Sequence, residues 1–209
     1  MQVLTAIGEV GIEFEGRSYL LRPSLFSMTQ IGSPTEIVEA TALLMMPEPE
    51  EPQARKLFRK QRFEAALTVL YACSGEQDLG DLLGGMVPTE SGRISYTPGR
   101  MPMSEIVLLA RGLLRHGVVG DLEPTPRQGP GDYVREFRAE EHVSIAMAHL
   151  GLSEREAWNM TLSALVKVMR AKFPVDPKKA NAPKPHTAEQ YDATMERLKK
   201  INALRDGKK

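Results

Sequence analysis

His142 and His149 stand seven residues apart in a stretch of helical character, so they fall on one helix face, where two imidazoles could share a metal ion. No cysteine or carboxylate is placed to complete such a set, and neutral or end-capping histidines account for the pair. His116 and His186 fall near a helix end and in a linker, where histidine needs no chemical role. Adjacent carboxylates occur at Glu50 and Glu51 and at Glu140 and Glu141, in polar surroundings that would not push one pKa above the other, so they read as solvated charges. Cys73 is the single cysteine, which excludes an internal disulfide and a zinc site built on thiolates. It lies on an apolar stripe with no cation nearby to stabilise a thiolate, and reads as a small buried hydrophobe. Gly129-Pro130-Gly131 could form an anion nest, but no helix start follows it. GxGxxG, P-loop, GxSxG and HExxH patterns are absent. The chain thus assembles no nucleophile, base and oxyanion site, and the expectation is a non-enzymatic protein with no cofactor and no metal.

The elements that carry these residues are mostly helical. Val10, Ile12 and Phe14 alternate with period two, Glu15-Gly16-Arg17 makes a turn, and an apolar run follows to Leu21, which predicts a β-hairpin with Val3 to Ile7 as a possible third strand. Two or three strands need something to lie on. A short helical turn from Ser24 to Gln30 leads to a helix from Pro34 to about Met46, opened by the Ser33/Glu36 capping box with proline in its first position. Pro47 to Pro52 alternates prolines with carboxylates and reads as an exposed extended loop. Gln53 to Ser74 is helical, with Phe63, Leu67, Leu70 and Cys73 on one stripe. Residues 75 to 103 form a loop or small ribbon with a strand-like run from Arg93 to Tyr96. Ser104 is placed to cap a helix carrying Ile106, Leu109, Ala110, Leu113 and Leu114 and ending near Gly117.

A Gly/Pro-rich stretch then separates the chain. Beyond it Ala139 to Leu150 is helical and stops at Gly151, and a second capping box, Ser153 with Glu156, opens a helix carrying Trp158, Leu162, Leu165 and Met169 before Pro174. The two make a helix-turn-helix hairpin. A Lys/Pro-rich segment follows, and Thr187 caps a final helix with Tyr191, Met195 and Leu198 on one side and a basic other side. The expected fold is therefore α+β, mostly α-helical, divided as 1–119 (α+β domain), 120–133 (linker), 134–173 (helical hairpin module) and 174–209 (linker and basic helix).

The 209 residues hold 27 Lys+Arg and 27 Asp+Glu, so no global field draws the protein to nucleic acid or membrane. The sum conceals an asymmetry: residues 1–52 carry two basic and eight acidic groups, residues 167–209 twelve basic and five acidic. Opposite ends of opposite sign allow self-association, or simply decorate separate solvated surfaces. The hairpin is a poor DNA reader, because its second helix opens with Glu154 and Glu156, where phosphates would approach. No apolar run is long enough to span a bilayer, and the amino terminus lacks a signal-peptide pattern, which makes the cytoplasm the expected compartment.

Residues 151–169, GLSEREAWNMTLSALVKVM, resemble the tail assembly chaperones of long-tailed bacteriophages in their Gly-Leu-Ser turn, acidic first helical turn, Trp158 and the Met160-Thr161 pair. The run EGRSYLLRPSLFSMTQIGSPTEIVEA also resembles phage proteins of this type, in which a hairpin leads into helices. Many members carry an acidic residue three positions after the Met-Thr pair, where this chain has Ala164. The resemblance implies a non-enzymatic role in the host cytoplasm: binding the tape-measure protein, keeping it soluble, and helping recruit tail-tube protein around it. The surface expected to meet the partner consists of Met147, Trp158, Met160, Leu162, Leu165, Val166 and Met169, and the eleven methionines suit a face that repacks around varied apolar partners. Trp158 is expected to anchor the hairpin. Two other readings are a structural virion component, such as a tail or head-completion protein, and a small nucleic-acid-binding or regulatory protein using Lys178 to Lys184.

Overall fold

The computed structural model describes residues 2–88, 92, 94–120 and 135–174. The expected elements that fall elsewhere, namely most of the 120–133 linker with its Gly-Pro-Gly, the segment after Pro174, His186 and the terminal helix, lie outside the described residues. The described residues up to Ala171 belong to one compact unit.

The chain is α+β and mostly helical, as expected. Strands β1 (Val10–Phe14) and β2 (Arg17–Leu21) pair antiparallel with Ile12 opposite Tyr19. Their turn is tighter than the sequence suggests: it consists of Glu15 and Gly16 alone, at φ 47° and 75°, the positive-φ pair whose twist matches a two-residue hairpin. Val3 to Ile7 does not add a third strand. Thr5–Ile7 is a 3₁₀ turn closed by Gly8 in the left-handed region, and Glu9, almost wholly buried, holds this start by accepting from the Leu4 N–H at 2.8 Å and from Arg22 Nε at 2.6 Å.

Helices α1 (Leu25–Thr29), α2 (Pro34–Met45) and α3 (Pro52–Ser74) follow. The capping box of α2 forms as its sequence implies, with Ser33 N–H and Oγ both donating to Glu36 at 2.7 Å. Glu51, read as a solvated charge, instead caps α3 by accepting from the Gln53 and Ala54 N–H groups, which moves the start of that helix back to Pro52. The carbonyls left over at the end of α2 are satisfied by arginines from two neighbouring helices: Arg62 of α3 donates to Leu43 at 3.2 Å and to Met46, and Arg111 donates to Leu44 at 2.6 Å.

The segment after α3 is a ribbon with a helical turn before it. Helix α4 (Gly80–Leu83) leads into β3 (Gly84–Pro88), which pairs antiparallel with β4 (Ile94–Pro98). Gly84 and Gly99 meet so closely at its base that a Cβ on Gly84 would lie 2.1 Å from the Thr97 carbonyl, and one on Gly99 would lie 2.3 Å from the Gly84 nitrogen. Helix α5 (Met103–Leu114) starts one residue before the expected Ser104 cap, with Pro102 at its N-cap and no side-chain cap bond, and continues through a wider π turn, Arg115–Val119, to Gly120. Its Ile106, Ala110, Leu113 and Leu114 stripe is fully buried.

Helix α6 (Ala139–Leu150) ends at Gly151 in the left-handed region, and the Ser153/Glu156 box opens the next helix, both as expected. That helix is broken, contrary to the single helix read from the sequence. Helix α7 (Glu154–Asn159) stops at Met160, whose ψ of 149° is extended, and α8 (Leu162–Lys172) begins after Thr161. The break is stabilised by two tertiary contacts and one local cap: the Leu25 N–H donates to the Met160 carbonyl at 2.8 Å, Ser24 and Thr161 form a β-bridge, and Thr161 Oγ1 caps α8 by accepting from the Ala164 N–H at 3.2 Å. These helices pack in the same compact unit as the amino-terminal elements. Phe137, Val143, Ala157 and Leu165 join the core formed by Leu21, Leu25 and Leu70.

Candidate functional site

An open groove of about 810 Å³ runs along α3. Its floor is one face of α3, where Glu64, Leu67, Thr68, Tyr71 and Ala72 recur at spacings of three and four, continued by Gly75 and Glu76 just past the helix end. One wall is α1, through Phe26, Ser27 and Gln30; the other is the ribbon, through Gly84, Gly85 and Tyr96. The expected stripe of α3, Phe63, Leu67, Leu70 and Cys73, is buried in the core, Leu67 touching the groove only with its edge, and burial pushes the Cys73 thiol well above its ordinary range, leaving it an inert apolar group.

Each wall is fixed by specific contacts. Tyr71 donates its hydroxyl to the Gly84 carbonyl at 2.7 Å, Tyr96 donates to Leu83, and the Tyr96 ring meets Phe63 edge-on at 5.0 Å. Burial, and then the nearby Asp78 charge, raise the Tyr71 pKa above 10, so the phenol stays a donor across the working range. On the other side Ser24 caps α1 by accepting from Ser27 N–H at 3.0 Å, and α1 is tied to the α7–α8 break described above. The hairpin is held against the end of α3 by Gln77, whose side-chain amide accepts from the Leu20 N–H at 2.9 Å and donates to the Leu20 carbonyl at 2.7 Å, completing the open edge of β2.

Apolar surface remains uncovered at this site. Phe26 is 55% exposed and Tyr71 40% exposed. With Leu25 and Met28 of the same helix fully buried, the α-helical spacing leaves Phe26 on the outer face. Phe26 meets Trp158 edge-on at 6.4 Å, so the lone tryptophan stands behind the α1 wall.

The residues expected to meet a partner are divided by the fold. Leu162 and Leu165 are core residues at 6% and 2% exposure and are unavailable to a partner. Trp158, Met160, Val166 and Met169 are half-buried against that core, and Met147 is exposed on α6. Trp158 also donates Nε1–H to Glu154 at 3.3 Å. Met160, Thr161 and Ala164 line a smaller cleft with Arg22 and Arg155, away from α3. Phe26, Tyr71 and Tyr96 were missed. The outward position of Phe26 was available from the spacing of Leu25 and Met28, whereas the approach of Tyr96 to α3 had no local signal.

The histidine pair is not drawn together as a metal site: His142 is half-buried with its ring 5.3 Å from Phe137, while His149 is exposed, and no cluster of three metal-ligating side chains occurs among the described residues. No helix among the described residues is long and apolar enough to cross a membrane.

Residues 21–193 match the profile of DUF6246, a family of unknown function. No curated protein and no solved structure matches the chain.

Proposed function

We propose that this chain, which belongs to the DUF6246 family, is a non-enzymatic chaperone of phage tail assembly. In this reading it binds an apolar helical stretch of the tape-measure protein in the host cytoplasm and helps recruit tail-tube protein around it. The observation that carries the reading is the uncovered face of α3, which leaves Phe26 and Tyr71 exposed on a groove of about 810 Å³. Exposed apolar surface rimmed by polar groups is the ordinary form of a protein-binding site. The resemblance lends support from an independent direction, because the stretch that carries it, residues 151–169, forms the break that anchors α1 and so sets one wall of the groove. Client binding is accordingly assigned to the α3 groove and the adjoining Phe26/Trp158 pair rather than to the buried side of α8.

Co-expression with a candidate tape-measure protein tests this. The full chain should keep that client in the soluble fraction and co-purify with it, and Ala72→Arg, which places a long charged side chain on the half-buried groove floor, should abolish both effects while leaving the fold intact by circular dichroism. Failure of the full chain to hold any tape-measure protein, together with its presence at fixed stoichiometry in purified particles, would favour the virion-component reading.

A further inference from the structure

The groove has a definite length, chemistry and sign. From Glu64 to Ala72 its floor follows α3 for about 12 Å, a little over two helical turns at 1.5 Å per residue, and Gly75 and Glu76 extend it just past the end of the helix. Its middle is apolar or small, with Leu67, Tyr71, Ala72 and Phe26. Its ends are carboxylates. Among the described residues that line it there is no lysine or arginine; at one end Lys60 Nζ lies 3.9 Å from Glu64 in an exposed pair one turn away. Such a pair is weak and screened, and leaves Glu64 free to exchange partners.

The backbone available to an occupant is as informative. An added strand needs a row of free N–H and C=O groups, but the groove offers only Gly84 and Gly85, and the Gly84 carbonyl is already taken by Tyr71. The remaining lining is side chains of two helices and Tyr96, with Gly75 and Glu76 just beyond the end of α3. A face of residues at three- and four-residue spacing presents ridges that interdigitate with those of another helix.

Building on the reading of this groove as the client site, we propose that its occupant is one short cationic amphipathic helix, of two to three turns, on the partner protein. Its apolar face lies on Leu67, Tyr71, Ala72 and Phe26, and its Lys or Arg residues at the two ends stand opposite Glu64 and Glu76. The apolar face supplies the affinity, and the end charges select the partner and its register.

Two hydrocarbon-stapled peptides of about 14 residues test the proposal, stapling being needed because so short a helix is marginal in water. Both carry the same Leu/Ala face, one with lysines and the other with glutamates at the ends. Fluorescence anisotropy against the full chain should show the lysine peptide binding on the order of tenfold more tightly at low salt, with the preference shrinking as salt rises. The double variant Glu64→Lys/Glu76→Lys should reverse the preference, and Ala72→Arg should abolish binding of both. Equal binding of the two peptides that is lost in Ala72→Arg would overturn the charge selection while leaving the groove as a helix site. Binding unaffected by Ala72→Arg, or no binding of either peptide, would overturn the helix assignment, and the co-expression experiment would then judge the client reading on its own.

Discussion

Trp158 and His142 show how position, more than residue type, sets what a side chain does here. A fully buried tryptophan cut to alanine costs about 3–5 kcal/mol, but Trp158 is half-buried and packs edge-on against an exposed Phe26. Trp158→Ala should therefore cost about 1–3 kcal/mol in urea unfolding and leave the chain folded, while weakening client binding through loss of support for Phe26. His142 faces Phe137, and burial lowers its pKa below the ordinary value near 6.5 in spite of the opposing charge of Glu141. The unfolded imidazole takes a proton more readily than the folded one, so its contribution to stability is present above about pH 6.5 and is lost as pH falls below it. The urea midpoint should drop between about pH 7.5 and pH 5.5, and drop less in His142→Gln. Glu36 and Glu156, whose pKa values are lowered chiefly by the serines they cap, act in a separate and more acidic window, their stabilisation being lost only below about pH 4.5.

The end of α2 shows how one element is terminated by others. Its last carbonyls are bonded by Arg62 and Arg111 from α3 and α5, so three helices meet through charge-assisted hydrogen bonds. Arg62 is 6% exposed, with its guanidinium 4.2 Å over the Phe58 ring and Glu48 at 3.7 Å. Arg62→Ala leaves the Leu43 and Met46 carbonyls without their arginine donor and removes a buried cation that packs on Phe58, and should cost about 1–3 kcal/mol, whereas Arg62→Lys keeps the charge without the fork and should recover only part of that loss. Chemical denaturation of the two variants measures the difference. The ribbon has a steric counterpart at Gly84, where any side chain meets backbone. Gly84→Ala should splay β3 from β4 and remove one wall of the groove, abolishing client capture.

Cooperation between distant segments decides how the molecule can be divided. Helices α6, α7 and α8 contribute Val143, Ala157 and Leu165 to the same core as Leu21 and Leu70, and the Leu25 N–H depends on the Met160 carbonyl. A fragment ending at residue 133 should therefore lack a cooperative unfolding transition and aggregate, rather than persist as a folded amino-terminal domain. In the full chain, Trp158 fluorescence and far-UV circular dichroism should follow coincident urea transitions, since the tryptophan reports a region that unfolds with the rest. Two separated transitions would show that the helices after residue 138 fold on their own.

Much of this protein was legible locally. Both capping boxes, the hairpin alternation, the left-handed stop at Gly151 and the buried stripes of α3 and α5 follow from spacings of two, three or four residues, because the interactions that form them close within a few positions of the chain. Glu51 as a helix cap lay within the same range and was hidden by the prolines around it. The break at Met160 was legible only in part: Thr161, which caps α8 through the Ala164 N–H, is a local start signal, whereas the bonds that favour an extended Met160 come from Ser24 and Leu25, more than 130 positions away. The groove had no local signature. Its floor is a face of α3 next to the buried stripe, and only the docking of α1 on one side and the ribbon on the other turns that face into a concave site.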